Sequence, residues 1–348
     1  MNYNSMQKNI YIYPITSRGK DEAANPYIYN LTQSLSLNYN IVNKMYPSSS
    51  GCLQLFKFFF KTNIFYFNWI ENLPDRKFGK FQSLLFLIFV LLAKSFNKNI
   101  VWTMHNKTSH SKTNIFLKKL LIKTLLKHSN YVITHSKEGI QYGHELYKNS
   151  KIVFFPHPVL SSEIKPINKN GNIKNYDIII WGLMSPYKGI LEFVKYLFDH
   201  KIIKYRIIII GKFVSNDYYQ EVMKYKTENI QIINNFISKT ELFNYIDQSK
   251  ITLFTYQNSS VLSSGALIDT LAQLTNIVGP NTGSFKDLCE ENLVVTYNNF
   301  DELMKILEKS KQNQLEIDKQ KICKYLDNCT WEKYSSFFYN LNTPNNNI

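Results

Sequence analysis

The sequence is short of several things, and each shortage excludes a class. It has only four cysteines, Cys52, Cys289, Cys323 and Cys329, with no C-x-x-C spacing and no paired-histidine motif. That excludes a disulfide framework and a zinc site, and leaves reduced thiols in a cytosolic protein as the expectation. The longest apolar run, residues 84–93, has ten residues, about half of what a bilayer-spanning helix needs. The start, MNYNSMQKNIYIYPI, lacks the basic-then-apolar layout of a leader and runs straight into a strand pattern. A cytoplasmic protein, peripheral at the inner face of the membrane, is therefore expected. There is no Asp-x-Asp pair to hold a metal through a diphosphate, and no internal repeat.

Acidic residues are scarce in one half only. Residues 1–160 carry 20 Lys and Arg against 6 Asp and Glu, and residues 161–348 carry 21 against 20. Nearly all of the formal net charge of +15 thus lies in the first half. A one-sided basic surface implies an anionic partner, either nucleic acid or the phospholipid face of a membrane. Two segments carry the membrane option. Residues 84–93 are apolar, and residues 115–127 (IFLKKLLIKTLLK) set Lys118, Lys119, Lys123 and Lys127 beside Leu120, Leu121, Leu125 and Leu126. The competing reading is an ordinary surface helix with its leucines in the core.

What is present is an α/β pattern on a chain long enough for two domains. Strand-like runs fall at 9–14, 39–42, 63–69, 99–104, 131–134 and 152–155, most of them separated by helical patterns. A polar stretch, SSEIKPINKNGNIKN, follows Pro156, His157 and Pro158 and reads as a linker. A second series then runs at 176–181, 205–210, 230–233, 251–254, 276–278 and 293–295, where Gly-Pro-Asn-Thr-Gly after 278 reads as a turn. Strands recurring with helices between them predict parallel sheets. The expectation is an α/β chain of two Rossmann-like domains facing each other across a cleft, over 1–160 and 161–330, with a final helix and tail over 331–348.

Three places in the second half suit a phosphate. In DIIIWGLMSPYKGILEF a strand ends at Gly182, and Lys188 and Gly189 lead into a helix. RIIIIGK repeats the design with Gly211 and Lys212. After the strand at 251–254 and Tyr256, a loop with Ser259, Ser260, Ser263 and Ser264 opens a helix at Gly265, with Asp269 one turn further in. Glycine permits close backbone approach, lysine supplies charge, and the first N–H groups of a helix lack partners. Together these form one expected anion-binding rim.

At this point the residues resemble a family. WGLMSPYKG is similar to the Gly-Arg-Leu-Ser-Pro-x-Lys-Gly turn of GT-B glycosyltransferases, and SSGALIDTLAQLTNIVGPNTGSFKDL to their donor-binding helix and the strand after it. FNWIENLP, VWTMHNKTSH and FFPHPV resemble segments of bacterial transferases that build exopolysaccharide and O-antigen (lipopolysaccharide) units, family-4-type and xanthan-type β-mannosyltransferase groups among them. TWEKY resembles their C-terminal crossing helix. The resemblance implies a hexosyltransferase with a nucleotide-diphosphate sugar as donor, a lipid-diphosphate-linked or oligosaccharide acceptor, no cofactor and no metal. It makes Lys188 a diphosphate ligand, the amides of Ser264 and Gly265 phosphate binders, and Asp269 the ribose acid, with Gly182, Gly211, Lys212, Tyr256 and Ser263 completing the donor set. Two positions depart from the pattern. Leu183 stands where the turn usually has an arginine, and Val261 stands where retaining family-4-type enzymes have a glutamate, which favours a divergent, inverting subfamily.

Inversion needs a carboxylate or histidine to take the acceptor proton. Candidates at first-half strand ends are Asp21, Glu22, Glu71 and His105, with His110 and His135 near loop positions and His157 as a cleft-lining or hinge residue. Arg18, Asn106 and His110 are the acceptor-binding candidates. Two other readings compete: a nucleotide-sugar epimerase of the same fold, which has no use for a basic half, and a nucleic-acid-binding protein, for which no reader motif is present.

Overall fold

The computed structural model describes residues 7–15, 26–48, 51–109, 111, 113–167, 173–256 and 261–343. The chain divides into two compact units. One comprises residues 1–158 together with 329–348, and the other residues 159–328.

The first unit contains β1 (Asn9–Tyr13), β2 (Asn40–Ile41), β3 (Ile64–Asn68), β4 (Asn99–Met104), β5 (Tyr131–Thr134) and β6 (Ile152–Phe154). They form one parallel sheet in the order β2-β1-β3-β4-β5-β6. The second unit contains β7 (Tyr176–Trp181), β8 (Ile207–Ile210), β9 (Ile230–Ile233), β10 (Ser249–Leu253), β11 (Asn276–Pro280) and β12 (Val295–Tyr297), again parallel, in the order β12-β11-β10-β7-β8-β9. Each is a doubly wound sheet, as the alternation of runs predicts. The strands read as unbroken apolar runs because helices cover both faces; all four isoleucines of β8 are buried.

Both sheets have a switch point, where successive connections leave in opposite directions and ligands characteristically sit beyond the strand ends. In the first unit it lies between β1 and β3, and in the second between β7 and β10.

Two details differ from the sequence reading. Gly279 and Pro280, expected in a turn, belong to β11 and pair with Thr296 and Tyr297 of β12. Proline is tolerated there because it is the last residue of the strand. The strand expected at 293–295 accordingly begins at Val295, while Leu293 and Val294 pack in the core.

The cores differ in kind. Phe65 and Phe67 of β3 stack edge-on against Phe89 and Phe86 of the helix Gly79–Ser95, with ring centroids 4.7 and 4.9 Å apart. The second core is aliphatic, built on Ile178, Ile180, Ile207 and Ile209. The last helix, Trp331–Asn342, belongs to the first unit: Phe338 stacks on Tyr66 at 5.1 Å, and the Tyr334 hydroxyl bonds that of Tyr66.

Lys118, expected on an exposed basic helix face, is buried within the helix Ile115–His128. Its Nζ lies 2.6 Å from Asp75 Oδ2 and 2.9 Å from the Ser111 carbonyl oxygen. A buried ammonium needs such partners, so this lysine serves the fold. Leu121, Leu125 and Leu126 are likewise buried, whereas Lys119, Leu120, Lys123 and Lys127 are exposed. Among the described residues no helix is long and apolar enough to cross a membrane.

Candidate functional site

The second unit gathers its chemistry at the ends of β7, β8 and β10. β7 ends at Trp181, and Gly182 follows with φ +113°, a conformation open to glycine. A Cβ there would come within 2.5 Å of the Lys188 Nζ, and one at Gly211, after β8, would sit 1.8 Å from the Gly182 carbonyl oxygen. The two glycines thus let two strand ends close up around one ammonium. Gly211 itself has φ +147°.

Lys188 is 5% exposed. Its Nζ donates a long bond of 3.4 Å to the Trp181 carbonyl and lies 5.4 Å from the centre of the Tyr256 ring. Its backbone carbonyl accepts from the Thr255 hydroxyl at 2.5 Å, which ties the turn after β7 to the end of β10. Burial holds its pKa below the ordinary lysine value, with Tyr187 opposing. Among the described residues no carboxylate pairs with it, in contrast to Lys118. A buried cation without a counter-ion is costly, and an anionic ligand at this strand end would remove that cost.

Tyr256 connects this lysine to the next element. Its ring is buried, its hydroxyl pKa is pushed up to about 12 by burial, and its oxygen lies 3.2 Å from Ser264 Oγ. Ser264 precedes the helix Gly265–Leu271 without capping it through its side chain, so the first N–H groups keep their unpaired character. Gly283, at φ +52°, packs against the Val261 and Leu262 carbonyls and so supports the approach to that helix. Val261 is buried. Ser259 and Ser260 lie outside the described residues.

Asp269 sits on the same helix with about a quarter of its side chain exposed. Burial pushes its pKa up to about 6, against the opposing effect of Lys239. The Lys239 ammonium lies 3.7 Å from Asp269 and 2.6 Å from Glu163. The sequence reading found neither Lys239 nor Glu163; they lie 30 and 106 residues from Asp269, with no motif linking them. Lys212 is exposed at the end of β8, and its backbone carbonyl accepts from Met184.

The first unit has a different cluster at the ends of β3, β4 and β5. His105, after β4, is 5% exposed. Its ring stacks on Trp69 at 4.6 Å and meets Tyr27 edge-on at 4.7 Å, and its Nε2 lies 3.1 Å from Asn68 Oδ1. Trp69 itself is left-handed at φ 50°, ψ 38°, an uncommon conformation for a bulky residue and a mark of local strain. His135 bonds Tyr27 OH at 2.9 Å and the Phe155 carbonyl at 2.8 Å; His157 lies 5.2 Å from it, ring to ring. Burial pulls the pKa of His135 down to about 3 and of His157 down to about 4, and holds that of His105 well below the usual value. All three are neutral imidazoles at pH 7.

Glu71, two residues after Trp69, is fully buried. Among the described residues neither carboxyl oxygen has a hydrogen-bond partner. Burial raises its pKa to about 7, with its own backbone amide, the half-buried Asn106 alongside and Arg76 opposing. It stands beyond the end of β3, at the sheet's switch point. Asp21, Glu22, Arg18 and His110 lie outside the described residues.

Neither a protein-family model nor a curated protein sequence matches the chain. Solved structures do match in fold. A sucrose-phosphate synthase from Thermosynechococcus elongatus superposes with a TM-score of 0.70 at 13% identity, covering 96% of this chain and 98% of that one. A glycosyltransferase from Rickettsia africae gives 0.63 at 15%, covering 96% of each. The Anabaena protein HepE, in complex with UDP, gives 0.61 at 11%, covering 96% and 97%. What this chain shares with them is the architecture of two doubly wound parallel sheets, the GT-B fold.

Proposed function

We propose that the chain is a glycosyltransferase that moves a hexose from a nucleoside-diphosphate sugar to a saccharide acceptor. One observation carries this reading: Lys188 is a buried ammonium with no carboxylate beside it among the described residues, held by two strand-end glycines at the switch point of a doubly wound sheet. A diphosphate matches that charge and position. Similar folds hold UDP, UDP with glucose, and UDP-glucose in HepE.

In this reading the second unit holds the donor. Lys188 and the amides at Ser264 and Gly265 neutralise the diphosphate as the bond from the anomeric carbon to the phosphate oxygen breaks, a task for which no metal is called on. Asp269 accepts from the ribose hydroxyls. The first unit holds the acceptor and supplies the base. Glu71, whose pKa lies near 7, suits that role better than the neutral, tightly packed His105, because a base poised near the working pH transfers protons best. The basic first half and the transferase resemblance favour a lipid-diphosphate-linked acceptor, in cell-surface polysaccharide assembly at the inner membrane face.

The test is a thermal-shift panel of UDP, GDP, CMP, dTDP and their sugars, since a ligand that binds only the folded chain raises its melting temperature. A selective rise with one nucleotide supports the reading and names the donor class. No rise with any of them overturns it.

A further inference from the structure

The helix Gly79–Ser95 is apolar on the side that no other element covers among the described residues. Its buried side is formed by Gly79, Ser83, Phe86, Val90 and Ala93, at helical spacing. Its opposite side carries Phe81, Leu84, Ile88 and Leu91, which are 57%, 55%, 49% and 56% exposed. Those four recur at intervals of three and four residues and so form one stripe, on a helix about 25 Å long at 1.5 Å per residue. Phe78 just before the helix and Phe96 just after it are also more than half exposed, and Phe96 packs against Phe59 and Phe60.

The helix Ile115–His128 packs against this one. Its buried side takes Lys118, Leu121, Ile122 and Leu125, which leaves Phe116, Lys119, Leu120, Lys123 and Lys127 outward. Phe116 is 79% exposed. Along this stretch of chain the charge is almost all of one sign, Asp75 being paired with Lys118. There is no Asp or Glu between Asp75 and Glu138, while twelve Lys and Arg fall in that interval.

An exposed aromatic and aliphatic stripe of this extent marks a contact surface. Its chemistry selects among occupants. A second copy of the chain would bring another predominantly basic rim against this one, and like charges repel. A surface that is apolar at the stripe and negative at its border fits both parts. We infer that these two helices form a docking face for an anionic phospholipid surface, with Phe81, Leu84, Ile88 and Leu91 entering the acyl boundary and Lys119, Lys123 and Lys127 lying at the level of the headgroup phosphates. Neither helix spans the bilayer. This surface is separate from the donor site, and its test reads lipid, not nucleotide.

The experiment is flotation of the full chain with vesicles of phosphatidylglycerol and phosphatidylcholine, compared with vesicles of phosphatidylcholine alone. The native chain is expected to float with the anionic vesicles at least tenfold more than with the neutral ones, and to be released by high salt. Replacing Phe81, Leu84, Ile88 and Leu91 together with serine is expected to lower binding at least tenfold. Lys119→Gln, Lys123→Gln and Lys127→Gln together are expected to remove the preference for anionic lipid. A second measurement, independent of the stability of the serine variant, uses Phe81→Trp alone: brominated lipid in the anionic vesicles should quench emission above the native background. Three results would overturn the inference. They are a native chain that floats with neither vesicle or equally with both, an unquenched Trp at position 81, and a native dimer by light scattering that the serine variant turns into a monomer.

Discussion

The two units share an architecture and use it oppositely. At the strand ends of the second unit, glycines draw the backbone in around a cation that has no counter-ion among the described residues. At the strand ends of the first, aromatic rings and neutral imidazoles crowd together, and the Glu71 carboxyl, like the Asn68 amide nitrogen, has no hydrogen-bond partner among the described residues. The cation and the carboxyl each lie at a switch point, one after β7 and the other after β3. The same sheet can therefore present a buried cation or a buried carboxyl at its switch point, depending on whether Gly and Lys or Trp, His and Glu follow the strand.

The sharpest way to break this comparison is to remove the carboxyl. Glu71→Gln is expected to lower turnover at least a hundredfold while nucleotide affinity stays within twofold, measured by transfer rate and by titration; equal turnover would move the base elsewhere. The same variant has a signature in stability. The folded pKa of Glu71, about 7, lies above its ordinary value of 4.5, so between those values the folded chain holds a proton that the unfolded chain has lost. Stability then falls as pH rises through that window, by about 3 kcal/mol in full. Glu71→Gln should remove this loss, so that native and variant melting curves diverge from about pH 5 upward.

Next in size is the backbone of the second unit. Gly211→Ala places a Cβ 1.8 Å from the Gly182 carbonyl at a positive φ, and should cost on the order of 3 kcal/mol in denaturant unfolding. A neutral result would mean that the two strand ends are looser than described. A smaller effect is expected at Asp269. Asp269→Asn should weaken a ribonucleotide about tenfold and its 2′,3′-dideoxy analogue little, as two titrations would show, because only the former has hydroxyls for the carboxylate to hold. Equal losses for both would assign Asp269 to the ion network with Lys239 and Glu163 alone.

Much of this was legible in the sequence. Each of the twelve strands among the described residues overlaps a run read from the apolar pattern, β12 by Val295 alone, because strands covered on both faces have to be largely apolar. Gly182, Lys188 and Gly211 were legible because close backbone approach requires particular residues at fixed spacing. The Gly279-Pro280 pair misled because local turn chemistry lost to the pairing of β11 with β12. Lys118 misled because helical periodicity does not show that Asp75, 43 residues earlier, waits to pair with it. Lys239 and Glu163 were invisible for the same reason. Burial also acts on the two in a way that position along the chain does not show: Glu71 and His105 both follow strands, and burial raises the pKa of the first and lowers that of the second.

Lys188→Met is the most direct test of the central claim, with nucleoside-diphosphate affinity and the melting temperature of the ligand-free chain measured on the same samples. If Lys188 is a buried cation reserved for a diphosphate, affinity should fall at least tenfold while the ligand-free melting temperature holds or rises, because an uncompensated charge has been removed. Unchanged affinity, or a fall in melting temperature of the kind that follows loss of a structural ion pair, would contradict it.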